Sequence, residues 1–190
     1  MLNNDPEAGI TLHKVDTGID TGEIILQEKL SIEDSDTYGN LQSKLAFLAA
    51  KPASNLLKIL GYGKIIPSLP QDESKAHYYE MPNASQLTIN WEKMTAAEIV
   101  RLVNACNPWN KAAGTSIAGW FIGITAVSII EGEPVEAEAG TIIFCDEENG
   151  VVAQTTDKKR LKIDIIYTND GFYLGINLIK FGIKLGAKFG

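Results

Sequence analysis

The stretch "HKVDTGIDTGEII", His13 to Ile25, repeats Asp-Thr-Gly four residues apart between two runs in which apolar and polar residues alternate. A period of two is the signature of a half-buried strand, so Ile10 and Leu12 mark one strand and Ile24, Leu26 and Leu30 a second. The repeated tripeptides then fall in the connection between them. Aspartate side chains bond to nearby backbone amides, and glycine supplies the positive φ that a strand connection often needs, so turn chemistry alone accounts for the repeat. Asp20 has a further property. At the tip of such a connection a carboxylate is free to face a cleft, and catalytic groups concentrate on loops held by rigid strands.

Downstream, Asp36 or Thr37 is placed to cap a helix in which Leu41, Leu45, Leu48, Leu56 and Ile59 recur at helical spacing. Pro52 interrupts that stripe and predicts a kink or a restart, because an interior proline lacks a backbone donor and clashes with the preceding turn. Gly61 and Gly63 end the helix. From Lys64 to Asn83 the chain carries Pro67, Pro70 and Pro82 around a polar "QDESK" centre without periodicity, which predicts an extended linker and a domain boundary. Thr95 and Glu98 then have the spacing of a capping box. Ile99, Leu102, Val103 and Cys106 follow on one helical face, and Pro108 stops the run.

From about Thr115 the sequence is rich in Ile, Val, Thr and aromatics, punctuated by Asn149-Gly150 and by Asn169 to Gly171, both hairpin signals. Short strands at this spacing predict a small barrel or sandwich. Trp91, Trp109 and Trp120 each lie beside apolar residues and read as core aromatics rather than stacking platforms.

With 190 residues, 45% of them hydrophobic, the chain has material for one large core or two small ones. No apolar run reaches the roughly 18 residues of a membrane span, and the first residues lack a signal-peptide layout, so the expectation is a cytoplasmic protein without membrane contact. Cys106 and Cys145 are too few and too far apart for a disulfide framework and read as reduced packing residues. His13 and His77 are the only histidines, and no Cys, His and carboxylate cluster has metal-site spacing, so no metal is expected.

The net charge of −7 conceals a gradient. Glu131, Glu133, Glu136, Glu138, Asp146, Glu147 and Glu148 form an acidic segment. Thereafter Lys158, Lys159, Arg160, Lys162, Lys180, Lys184 and Lys188 face only Asp164 and Asp170. This basic end reads either as an ordinary solvated surface or as a face that contacts phosphates.

At this level the sequence resembles the formyltransferase family, most closely the branch that acts on methionyl-tRNA. The likeness is carried in order by "GITLHKVDTGIDTGEIILQ", "DTYGNLQSKL", "QDESKAHYY" and "INW" leading to "NACNPW", then by "AGTIIF", "GVVAQTTD" and "FGIKLGAKF". The resemblance implies an α/β fragment, a β-hairpin plus helix from the end of a Rossmann-like catalytic domain (residues 1–63). A linker (64–83) and a mainly β, OB-like C-terminal barrel with one leading helix (84–190) would follow. It implies 10-formyltetrahydrofolate as co-substrate and initiator tRNA as partner. Asp20 matches the family's catalytic aspartate. Val15, Asp16, Gly18, Ile19 and Asp20 are the expected folate-side residues, with Asp16 shaping the loop, and the seven basic residues from Lys158 to Lys188 are the expected nucleic-acid contacts.

In the family a catalytic Asn and His lie upstream of the aspartate, and nothing in this sequence matches them; His13 reads as a half-buried strand histidine instead. The chain alone is therefore expected to be incomplete and inactive. A hairpin and one helix leave apolar faces that an N-terminal half, a second chain or a homodimer partner would cover. After "NPW" this chain has Asn110-Lys111-Ala112-Ala113 where the family usually has Pro-Gly. Two other readings stand beside tRNA formylation: transfer to a nucleotide-linked amino sugar, and a non-catalytic RNA-binding or subunit-pairing module.

Overall fold

Alternation between Glu7 and Ser31 becomes two antiparallel strands in the computed structural model, which describes residues 1–190. Strand β1 (Glu7–His13) pairs with β2 (Ile24–Ser31), Glu7 lying opposite Ser31 and Leu12 opposite Leu26. The register shifts between Leu12 and His13, where the chain leaves the ladder for the Asp-Thr-Gly loop. Irregularities of this kind bend a strand and re-aim its side chains. Leu69 docks beside β2 by exchanging both backbone hydrogen bonds with Ile24, each at 2.8 Å. The segment that reads as a linker thus contributes a pairing residue to the hairpin.

Helix α1 (Tyr38–Gly61) runs through Pro52 without interruption, and Pro52 is itself buried. Of the expected kink or restart, the restart is absent. One missing donor is a small loss in a 24-residue helix whose other backbone bonds remain. Gly63, at φ +67°, follows the end of the helix. Apart from Leu41 and Pro52 the helix buries no residue fully, and Phe47, Leu57 and Leu60 are exposed. The chain divides into two compact units, one of residues 5–33 and 40–81, the other of residues 1–4, 34–39 and 82–190.

In the second unit α2 (Ala96–Cys106) starts at the expected capping box: the Thr95 hydroxyl accepts from the Glu98 amide and the Glu98 carboxylate accepts from the Thr95 amide. Its apolar face, Ile99, Leu102, Val103 and Cys106, is buried. Strands β3 (Ala113–Ile117), β4 (Trp120–Ile130), β5 (Ile142–Asp146), β6 (Gly150–Gln154) and β7 (Arg160–Thr168) form an antiparallel sheet in the order β3-β4-β7-β6-β5. Strand β8 (Gly171–Leu174) pairs with the second half of β7, and a single turn α3 (Asn177–Lys180) leads into the last residues. The Asn149-Gly150 and Asn169 to Gly171 turns connect β5 to β6 and β7 to β8, with Gly150 at φ +77°.

The C-terminal residues close this sheet. Gly190 exchanges two backbone bonds with Ser116 on β3, while Ile142 on β5 donates to Ala187 and accepts from Gly186. The free edges of β3 and β5 are joined through residues 186–190, which makes the sheet a barrel, as the OB-like expectation requires. Closure removes the unpaired edges that invite aggregation. Trp91 is buried, donates its indole N–H to Thr115 at 2.9 Å and stacks on Phe189. Trp109 and Trp120 depart from expectation, being 43% and 53% exposed. Trp120 opens β4 directly after the tight turn at Ala118 and Gly119, and its ring meets Phe181 on one side only, with centroids 6.4 Å apart.

Candidate active-site loop

The loop from Lys14 to Glu23 is closed at its base by the Lys14 amide donating to the Glu23 carbonyl at 2.9 Å, reinforced by the Lys14 ammonium on the Glu23 carboxylate at 2.7 Å. The Ser68 hydroxyl donates to the same carboxylate at 2.6 Å. Lys14 and Ser68 together hold the Glu23 carboxyl below its ordinary range. Inside the loop, Asp16 accepts from the Thr21 hydroxyl at 2.7 Å and from the Gly18 amide at 3.0 Å. The same two bonds lower its pKa, Thr21 contributing most. Asp16 is thus an internal staple that keeps its charge.

The glycines of the two tripeptides are not used as the sequence implies. Neither Gly18 nor Gly22 has a positive φ; Asp20 takes the left-handed conformation instead, at φ +56°. A Cβ on Gly22 would lie 1.8 Å from the Lys14 carbonyl oxygen, and one on Gly18 would lie 2.1 Å from the Thr21 hydroxyl. The glycines serve close approach between the limbs of the loop. The conformational demand falls on an aspartate, one of the few side chains that tolerate that region.

Asp20 projects a carboxylate that is 86% exposed, with its Oδ1 3.6 Å from the His13 Nε2. His13 Nδ1 lies 2.7 Å from the Lys14 carbonyl, an acceptor, so Nδ1 carries a hydrogen and is a donor. With the hydrogen on Nδ1, the lone pair of the neutral ring lies on Nε2, the nitrogen nearer Asp20. So exposed a charge is screened by water, and the His13 contact is weak. Val15 and Ile19, the apolar residues of the loop, are each 92% exposed. Of the expected folate-side residues, Val15, Ile19 and Asp20 present side chains outward, whereas Asp16 and Gly18 are engaged within the loop.

One contact was not legible in sequence. The Gln71 side-chain amide donates to the carbonyls of Asp20 and Gly22, 2.7 Å to each. It sits in the polar "QDESK" run that reads as linker, and only a contact across some fifty residues of sequence reveals its use.

The basic residues are less free than their sequence implies. Lys158 pairs with Glu136 at 3.0 Å, Lys188 with Glu138 at 2.8 Å and Lys159 with Asp157 at 3.9 Å. Arg160 donates to the Glu133 carbonyl and lies over the Phe144 ring. The acidic segment folds back on the basic one. Lys162, Lys180 and Lys184 are in no such pair. On the same unit a cavity of about 300 Å³ is lined by Phe121, Tyr167, Lys111, Asn110 and Thr88 among others. No three His, Cys, Asp or Glu side chains gather where they could hold a metal ion, and no helix is long and apolar enough to cross a membrane.

Comparison with known proteins matches this arrangement in both units. The family model described as formyl transferase matches residues 1–57, and that of the formyl transferase C-terminal domain matches residues 83–175. The chain belongs to the formyltransferase family. The methionyl-tRNA formyltransferase of Halothermothrix orenii is 30% identical over 196 residues, covering 98% of this chain and 61% of that protein. The chain spans between 45% and 61% of the length of the curated relatives it matches. Among solved structures, the sugar 3N-formyltransferase WlaRD, determined with dTDP and 5-N-formyl-THF, superposes with a TM-score of 0.58 at 25% identity, over 84% of this chain and 55% of that one. HypX from Aquifex aeolicus, determined with tetrahydrofolic acid, shares the fold, with a TM-score of 0.72 at 13% identity over 94% of this chain and 31% of that one.

Proposed function

We propose that this chain forms part of an enzyme that transfers a formyl group from 10-formyltetrahydrofolate to the amino group of methionyl-initiator tRNA. The observation that carries this reading is the Asp-Thr-Gly loop, lying within the stretch matched by the formyl transferase model and followed by a barrel matched by its C-terminal domain. In this reading residues 1–63 are the last part of the catalytic domain, 64–83 connect, and 84–190 form the domain that helps hold tRNA.

The reaction needs three things. The amine attacks the formyl carbon, negative charge develops on the formyl oxygen, and the attacking nitrogen loses a proton. A carboxylate beside an imidazole orients that ring and stabilises its protonated form, which is the role assigned to Asp20. A preformed loop suits it to that role, because the backbone at Asp20 is held before substrate arrives. An amide donor for the oxyanion and an imidazole base beside Asp20 complete the set. His13, half-buried at the end of β1, is read as a strand histidine rather than as that base. Val15 and Ile19 offer apolar surface to the folate ring system.

Formyl transfer to an amino sugar on a nucleotide is the second reading, favoured by the likeness to WlaRD over 84% of this chain. With the enzyme of which this chain forms part, transfer of labelled formyl from 10-formyltetrahydrofolate is measured with charged initiator tRNA and with a nucleotide-linked amino sugar as acceptors. The first acceptor is expected to be labelled, and Asp20→Asn to slow transfer by about 100-fold or more. Equal rates for Asp20→Asn and the parent protein would refute the catalytic role, and labelling of the sugar alone would replace the first reading with the second.

A further inference from the structure

We infer that Gln71 is a positioning residue that fixes the direction of the Asp20 carboxylate by clamping the backbone on either side of Thr21. This rests on the reading of Asp20 as the catalytic carboxylate. The Gln71 side-chain nitrogen has two hydrogens and meets two carbonyl oxygens, those of Asp20 and Gly22, at 2.7 Å each. Both partners are acceptors, so the NH₂ end of the amide must face them and the orientation of the side chain is unambiguous.

The position of these bonds gives them leverage. The Asp20 carbonyl lies on the peptide plane that follows Asp20, so anchoring it fixes ψ at a residue whose φ is already +56°. Once φ and ψ are set, so is the vector along which the carboxylate leaves the backbone. Asp16 staples the loop at Gly18 and Thr21 but makes no bond to the Asp20 backbone. Gln71 supplies what Asp16 does not. Its own place is secured two residues earlier, where Leu69 exchanges backbone bonds with Ile24 and Ser68 bonds Glu23. The segment 68–71 thus forms a brace along the returning limb of the loop, ending in an amide aimed at the catalytic residue.

The test compares Gln71→Ala, Gln71→Glu and Asp20→Asn with the parent chain. Amide exchange across residues 14–24 and proton cross-relaxation between the His13 ring and the Asp20 β-hydrogens are followed by NMR between about pH 4 and 7. Loss of one net hydrogen bond changes an opening equilibrium by about five- to tenfold. Near pH 7 both Gln71 variants are expected to exchange at least fivefold faster at Gly18 and Ile24 and to lose the His13–Asp20 signal, with the other amides of β1 and β2 unchanged. Gln71→Glu then recovers part of both as pH falls through the carboxyl range near 4.3, because the protonated acid regains one donor, whereas Gln71→Ala does not. Parent-like exchange and cross-relaxation in Gln71→Ala would overturn the inference. So would loss of protection throughout the hairpin, which would make Gln71 a general structural residue. Asp20→Asn keeps the clamped carbonyl, so its effect on formyl transfer judges the catalytic reading separately: unchanged transfer sinks that reading and leaves the clamp standing.

Discussion

Replacing Phe189 by alanine tests whether the last residues of the chain close the barrel. Phe189 is only 1% exposed, and its ring stacks on Trp91 with centroids 4.8 Å apart and planes 15° from parallel. Its backbone amide also donates to the Gly140 carbonyl at 2.9 Å, a bond that alanine keeps. The substitution therefore isolates the side chain. Truncating a buried phenylalanine costs about 3–5 kcal/mol, the transfer term and the residual cavity adding. For a unit slightly over 100 residues that corresponds to a fall of roughly 12–20 °C in melting temperature. Trp91, Trp109 and Trp120 all belong to the unit containing residues 82–190, so tryptophan fluorescence during urea unfolding follows that unit alone. Phe172, 63% exposed beside Tyr167, serves as the control, with an expected loss under about 1 kcal/mol. A loss below about 1.5 kcal/mol for Phe189→Ala would refute the assignment of this residue to the core.

Three further outcomes are expected. Asp157 accepts from the Ala96 amide at 2.9 Å at the start of α2 and from the Thr155 hydroxyl at 2.6 Å; burial raises its pKa, but these bonds outweigh that and hold it below the ordinary 3.8. Asp157→Ala is expected to cost about 1–2 kcal/mol at pH 7. Because the folded pKa is depressed, that contribution is present above the unfolded value and fades as pH falls through the folded one, so urea titrations of parent and variant converge below about pH 4. Cys106 is buried and its thiol is pushed up to about 11. In the native protein near pH 8 it is expected to react with iodoacetamide roughly 100-fold or more slowly than a free thiol, and mass spectrometry after urea unfolding should show rapid labelling. On the proposed tRNA-binding role, only Lys162, Lys180 and Lys184 among the seven basic residues make no pair with an acid or carbonyl group, so about three phosphate contacts and a log–log salt slope of roughly −2 to −3 are expected. A slope of roughly −5 in a filter-binding titration would mean that the pairs of Lys158, Lys159 and Lys188 open on binding.

Local rules made much of the chain legible. The hairpin followed from alternation around the doubled tripeptide, α2 from Thr95 and Glu98 with four apolar residues on one face, and the β5–β6 and β7–β8 turns from Asn149-Gly150 and Asn169 to Gly171. Each is settled within a few residues by hydrogen-bond geometry and side-chain periodicity. The long-range features were read less well. All three tryptophans read as core aromatics from sequence, yet only Trp91 has Phe189 stacked on it and a hydroxyl for its indole N–H. The basic run looks unopposed until the acidic segment is found folded against it at Lys158 and Lys188.

The two strands, the capped helix, the turns and the loop that carries Asp20 follow from local patterns, because each depends on neighbours within one or two turns of chain. Long-range packing is what lets residues 186–190 close the barrel, leaves Gly22 no room for a side chain beside the Lys14 carbonyl, and brings Gln71 back to hold Asp20. These contacts join residues far apart in the chain, and no local pattern records which distant partner a carbonyl or an edge strand will meet.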